Sequence, residues 1–116
     1  MSHKIRKRIA EKSKARARVF AALGDRTRLK LVARLCTGEP CSITQLADDS
    51  KLTRQAITKH LRVLERAGIV RSAHAGRERL FEFDPAPMKG LAEYLECVSA
   101  QWDKTLSRLK DFVEKG

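Results

Sequence analysis

Five polar side chains gather on one side of a short amphipathic stretch. Arg54, Gln55, Thr58, Lys59 and Arg62 stand against Ile57, Leu61 and Leu64, which recur at i, i+4 and i+7. The pattern predicts a helix from Thr53 to Ala67, capped by the Thr53 hydroxyl and ended at Gly68. With the apolar trio buried, the polar five face outward. These side-chain types can read duplex DNA: arginine donates two hydrogen bonds to guanine, glutamine pairs with adenine, and threonine and lysine reach bases or phosphates. Arg54, Gln55 and Thr58 lie nearest the helix N-terminus, the end that enters a groove first and whose dipole favours phosphate, so they are the expected base readers. Thr53 joins the set at the helix start. His60, beside Lys59 at the edge of the face, is expected to touch phosphate or to satisfy a hydrogen bond. A plain solvated face would carry the same residues. The elements around the helix must decide.

Before it, Ser42 or Thr44 can cap a shorter helix that buries Leu46 and Ala47, and the sequence DDSK (48–51) makes the turn between the two. A short helix, a tight turn and a longer helix form a helix-turn-helix pattern, with Ala47 suited to the close crossing. After it, GIVRSAHAGRERLFEF (68–83) has strand-like ends around an Ala75-Gly76 turn, with Phe81 and Phe83 on one face at period two. His74, Arg77 and Arg79 belong to the tip of this hairpin. Such a ribbon can lie along a DNA backbone or minor groove, where arginine is favoured; the alternative is an ordinary exposed loop.

Two helices come first. One spans 4–22 and turns apolar only at Val19, Phe20 and Leu23. The other, capped by Asp25, carries Leu31, Val32, Leu35 and Cys36 and stops at Gly38, after which Pro40 keeps the chain extended to about Ile43. Pro85 and Pro87 start a last helix with apolar residues Met88, Leu91, Leu95, Val98, Trp102, Leu106, Leu109 and Val113 at steps of three and four. The expected fold is mainly α with a small β-hairpin: a winged helix-turn-helix.

The 116 residues suit one domain, with 42% apolar and 34% charged residues and a net charge of +11. That balance points to a polyanionic partner. Residues 1–18 hold eight bases against Glu11, residues 54–79 hold seven against Glu65 and Glu78, and 85–116 are neutral, with five of each sign. The organisation expected is therefore a basic arm (1–18), a DNA-binding core (19–84) and a C-terminal helix (85–116) free for another purpose. The arm can track phosphates, or be an amphipathic helix with Ile5 and Ile9 turned inward, or bind weakly to a membrane surface. The last helix outruns so small a core, which favours a homodimer through Val19, Leu91, Leu95, Val98, Trp102, Leu106 and Leu109 over packing back on its own chain.

No apolar run reaches the roughly 20 residues of a membrane span, and no secretory signal is recognisable, so a cytoplasmic protein is expected. Paired carboxylates, a Ser/His/Asp set and a phosphate-cradling glycine loop are all missing, which leaves no case for an enzyme, and no cofactor is expected. Cys36, Cys41 and Cys97 contain no CxxC pair. Cys36 reads as a buried structural cysteine and Cys41 as a loop residue open to solvent; a redox switch through the three is the alternative.

FAALGDRTRLKLVARL (20–35) and the run from Ser42 to Asp84, with KHLRVLERAGIV (59–70) and a Gly-Arg wing, resemble the ArsR-type family of bacterial winged-helix repressors. QWDKTLSRL (101–109) is similar to the dimer helix of a metal-independent branch of that family. The resemblance implies a homodimer that represses by occupying a palindromic operator. Where it places metal-binding cysteines, this chain has Ser42 and Thr44, with Cys41 one residue off. The Asp/His pairs that other members carry on the last helix have no histidine to match here. The expected function is sequence-specific repression without a metal ligand; a thiol-responsive repressor and a nonspecific nucleoid-type DNA-binding protein are the competing readings.

Overall fold

A computed structural model describes residues 2–115. Met1 and Gly116, the outer ends of the expected arm and last-helix segments, lie outside the described residues. The order is α1 (His3–Leu23), α2 (Arg26–Leu35), β1 (Cys41–Ser42), α3 (Ile43–Asp48), α4 (Arg54–Arg66), β2 (Val70–Ala75), β3 (Glu78–Phe83) and α5 (Ala86–Lys115).

Local chemistry sets most of these boundaries. The Asp25 carboxylate accepts from the Arg28 N–H at 3.0 Å and starts α2. Gly38 follows α2 with φ of +102°, which favours glycine. Ser42 starts α3 through a capping box: its Oγ accepts from Gln45 N–H at 3.2 Å, while its own N–H donates to Gln45 Oε1 at 2.8 Å. The box draws Ile43 into the first turn of α3, so the extended segment ends one residue earlier than Pro40 alone suggests. Thr53 Oγ1 accepts from Ala56 N–H at 3.1 Å and starts α4.

The wing is one hairpin joined to a third, two-residue strand. The sheet order is β1-β3-β2, all antiparallel, with Cys41 opposite Phe81 and Val70 opposite Phe83. Ala75 pairs with Glu78, so the loop is Gly76-Arg77 and not Ala75-Gly76. Gly76 takes φ of +65°, as the first loop position of a type II′ turn requires.

One core joins all of these elements. Val19 and Ala22 from α1, Leu31, Val32 and Leu35 from α2, and Leu46 from α3 surround Ile57, Leu61 and Leu64 of α4; Ile69, Val70, Phe81 and Leu91 close the cluster. Val19 and Leu91, expected in a homodimer surface, are therefore covered by their own chain. Phe83 packs against the core beside Phe81. Two cysteines exchange the expected environments. Cys36 caps the end of α2 and is exposed, because the helical phase that would bury it stops at Leu35. Cys41 is buried, because β1 pairs with β3 and lays it against Phe81.

The two terminal helices run out of this core. The N-terminal half of α1 has no inward face: Ile5 is 48% exposed and Ile9 53%. The 30 residues of α5 leave the body after Leu91, and the chain measures 66 Å along its longest axis. No described helix is long and apolar enough to cross a membrane.

Leu64→Ala, at a fully buried position of α4, is expected to cost about 2–5 kcal/mol of stability. Urea unfolding should show a lower midpoint at an unchanged slope.

Candidate nucleic-acid interface

Burying one face of α4 dictates what the other presents. Ile57 and Leu64 are wholly covered and Leu61 nearly so, which leaves Arg54, Gln55, Lys59 and Arg62 exposed and Thr58 half-buried. The Thr58 hydroxyl donates to the Arg54 carbonyl at 2.7 Å, so its proton is committed within the helix. Its oxygen lone pairs and methyl group remain to face a partner. Thr53 is exposed, with its hydroxyl engaged as the α4 cap.

His60 does not belong to that face. Its Nδ1 lies 3.3 Å from Arg28 Nη1 and 3.8 Å from Asp25 Oδ2, at the joint between α1 and α2. Arginine has only donors, so Nδ1 is the acceptor there. Arg28 also donates to the carbonyls of Ala22 and Ala21 at the end of α1. The Arg28 backbone N–H, with the charge of the Arg28 guanidinium nearby, holds the Asp25 carboxyl below its ordinary value. His60 thus fixes the inner flank of α4 to the α1–α2 corner.

The wing arginines differ from each other. Arg77 sits in the hairpin loop, exposed and without a partner among the described residues. Arg79 lies on β3 opposite His74, and its Nε donates to Ser72 Oγ at 3.0 Å. The Ser72 hydroxyl in turn donates to Glu65 Oε2 at 2.7 Å. Glu65 belongs to α4, so this chain of bonds ties the base of the wing to the recognition helix. In the sequence Glu65 counts only as an acid and Ser72 only as a polar strand residue; nothing in their spacing marks the link.

Other bases are committed elsewhere. Arg71 pairs with Glu82 at 2.7 Å and reaches Asp84 at 3.9 Å. Arg34 pairs with Asp49 at 2.9 Å, holding α2 to the turn after α3. Both guanidinium groups are held more firmly protonated by these carboxylates, chiefly through the side-chain hydrogen bond. The outward side chains of α4, the Arg77 loop and the basic half of α1 are left for an outside partner.

Comparison with known proteins agrees with this geometry. The model of a family described as "Helix-turn-helix domain" matches residues 13–73. The chain is 33% identical over 97 residues to the HTH-type transcriptional regulator Rv2034 of Mycobacterium tuberculosis, covering 84% of this chain and 87% of that protein. Among solved structures, an ArsR-like transcriptional regulator from Rhodococcus sp. RHA1 superposes with a TM-score of 0.75 at 36% identity, over 88% of this chain and 95% of that one. The chain belongs to the ArsR family of winged helix-turn-helix transcriptional regulators. Like other ArsR-family members it is a DNA-binding regulator of transcription. The same fold occurs in the homodimeric winged helix-turn-helix DNA-binding domain of Mb0332 from Mycobacterium bovis, with a TM-score of 0.65 at 20% identity, 93% of each chain being covered.

Within this ArsR-family frame, Cys36 ends α2, Cys41 lies in β1 and Cys97 is exposed on α5. No three His, Cys, Asp or Glu side chains gather into a group that could hold a metal ion among the described residues. Along α5, Leu95, Trp102, Leu106 and Leu109 are exposed and Val98 is half-buried; Trp102 is 61% exposed. Phe112 extends the stripe, which stepping from Leu109 to Val113 passes over.

His60→Ala is expected to lower stability by about 1 kcal/mol through the lost hydrogen bond. Lys59→Ala, one residue away in solvent, should change it by less than about 0.5 kcal/mol. Equal effects in urea unfolding would place His60 outside the α1–α2 corner.

Proposed function

We propose that this regulator is a sequence-specific repressor that acts as a metal-independent homodimer on a palindromic operator. The observation that carries the reading is the outward face of α4, rigidly mounted and polar, with a wing tied to it by the Arg79–Ser72–Glu65 bonds. The N-terminal end of α4 enters the major groove. Arg54, Gln55 and Thr58 read bases, while Lys59, Arg62 and the Thr53 end of the helix lie against phosphate. Arg77 reaches the backbone or minor groove from the wing, and Arg79 supports it from the base. The exposed bases of α1 add contacts that depend on salt and not on sequence.

Self-association rests on α5. A soluble chain rarely leaves a row of large apolar side chains in water without a partner. Leu95, Val98, Trp102, Leu106 and Leu109 form such a row on a helix segment whose charges balance. A homodimer presents two copies of α4 at a spacing that suits half-sites about one helical turn apart. The homodimeric state of the Mb0332 domain supports the same arrangement. Metal independence is supported at Ser42, which stands where the family's metal-binding branch is expected to have a cysteine. Its hydroxyl and N–H are both spent on the α3 capping box. A thiol-triggered mode finds less support, since Cys41 is buried and the two exposed cysteines end α2 and ride on α5. Such a repressor works in the compartment that holds the DNA, the cytoplasm in a bacterium.

Selection of bound sequences from a random duplex pool tests the reading and yields the operator. Two inverted half-sites centred about one turn apart are expected; a pool with no enriched sequence would contradict specificity. On the selected site, Arg54→Ala or Gln55→Ala should each cost about 1–3 kcal/mol of binding, and far less on random duplex. Equal losses on both would reassign these residues to phosphate.

Trp102→Glu places a charge in the middle of the α5 stripe. Sedimentation should show self-association weakened by at least about 2 kcal/mol while the monomer stays folded. An unchanged dimer would move the interface off α5.

A further inference from the structure

A groove of about 470 Å³ opens between α1, the last turn of α4 and the first turns of α5. That size falls within the roughly 300–1,000 Å³ of small-molecule sites. Its floor is apolar, with Val19 and Leu91 at the bottom. Its rim is basic. Lys12, Arg16, Arg18 and Arg66 stand around it, and Glu93 is the one acid among the lining residues. None of the four bases makes an ion pair among the described residues, in contrast to Arg34 and Arg71. Arg16 is half-buried with its guanidinium 4.1 Å from the centre of the Tyr94 ring, a contact that orients the charge without neutralising it. Like charges gathered around an apolar cleft repel one another until an anion sits among them.

A second, independent feature marks the same place. Gly90 lines the groove from inside α5. Glycine within a helix is destabilising relative to alanine, so its presence in α5 has a cost. Here its φ is not positive, and a Cβ built on it would meet nothing within 4 Å. Neither the backbone nor a close neighbour in the chain calls for glycine. What its missing side chain leaves is open groove.

The groove also lies away from the base-reading end of the recognition helix. Arg66 is twelve residues along α4 from Arg54, a separation of about 18 Å at 1.5 Å per residue. We propose that the groove binds a small amphipathic organic anion, a carboxylate with an aliphatic or aromatic tail. The tail lies on the Val19 and Leu91 floor beside Gly90, and the carboxylate takes paired hydrogen bonds from the rim arginines. Such a ligand touches α1, the end of α4 and the base of α5 together. As an effector of DNA binding, a role that rests on the function proposed above, it acts through those three helices.

Octanoate is the probe, titrated calorimetrically into the full chain without DNA. Saturable binding is expected, at least about tenfold tighter than that of octanol or inorganic phosphate. The double variant Arg16→Gln/Arg66→Gln should weaken it about tenfold, while Arg54→Gln, at the far end of α4, should not change it. Gly90→Leu puts a good helix former into the open groove, so it should keep the fold by circular dichroism and abolish octanoate binding. Equal binding of octanol, equal binding of phosphate, or full binding by Gly90→Leu would each overturn the proposal. So would failure of octanoate to bind the wild type, and loss of self-association in Gly90→Leu would then assign the groove to a second copy of the chain. These arms use no DNA, so the site can fail while the regulator reading stands, and the reverse. In a further arm, octanoate should shift affinity for the selected operator; binding without a shift would remove the effector role.

Discussion

The burial of Ile57, Leu61 and Leu64 fixes how α4 is turned about its own axis, and nearly every other feature follows from that. All three are covered almost completely, each contributing about 1.5–3 kcal/mol by leaving water. Turning the helix by one residue, about 100°, would bring polar side chains into the core and expose the trio. The rotation is therefore locked, and with it the direction of Gln55, Lys59 and Arg62. α3 sets the depth of the helix, and His60 with Arg28 and Asp25 braces its inner flank. The Glu65–Ser72–Arg79 bonds then hang the wing from the same helix. The sequence reading proposed for the polar face depends on the apolar face leaving it no freedom to reorient.

Charge is distributed by the same economy of partners. A net +11 on 116 residues destabilises the chain by self-repulsion unless a polyanion is near. The fold absorbs part of it. Arg34 and Arg71 meet carboxylates, and Arg28 meets backbone carbonyls and the His60 ring. Many of the bases left without an ion pair lie in three places: the outward side of α4 with the Arg77 loop, the exposed half of α1, and the groove rim at Lys12, Arg16, Arg18 and Arg66. The first two suit a long polyanion with regularly spaced phosphates. The third is concave and floored with apolar side chains, which suits a ligand with one charged end.

Elements whose limits are set by neighbours in the chain were legible from sequence: the caps at Asp25 and Thr53, the stop at Gly68, and the period-two alternation through Phe81 and Phe83; for α3 the sequence offered Ser42 or Thr44, and the capping box with Gln45 selects Ser42. Residues whose place depends on tertiary packing were not. His60 carried a signal that could have been used: on a helical wheel it stands about 60° from Ile57 and about 40° from Leu64. That is the flank of the apolar stripe, so a neighbour in the fold was its natural partner. Cys36 and Cys41 exchanged environments because one lies just past a helix end and the other in a two-residue strand; neither boundary is encoded by periodicity. The tie between Glu65 and Ser72 had no local signature at all. It exists because β2 leaves α4 through the Gly68 turn and comes back alongside it.

The last helix joins the two proposals made for this chain. Its first turns sit in the core at Leu91 and against α1, where Phe20 meets the Tyr94 ring edge-on at 6.1 Å. Its remaining length is largely exposed and carries an apolar stripe from Leu95 to Val113. A helix of 30 residues is a lever of about 45 Å, and a tilt of about 5° at its base moves the far end by about 4 Å. In a homodimer joined along this lever, such a shift would change the separation of the two copies of α4, and half-sites about 34–36 Å apart tolerate little change. The groove lies at the pivot, where Gly90 leaves α5 without a side chain facing α1. An anion drawn among the rim arginines would alter how α1 and α5 meet at that point. It could thus weaken or strengthen the grip on an operator without touching a base-reading residue.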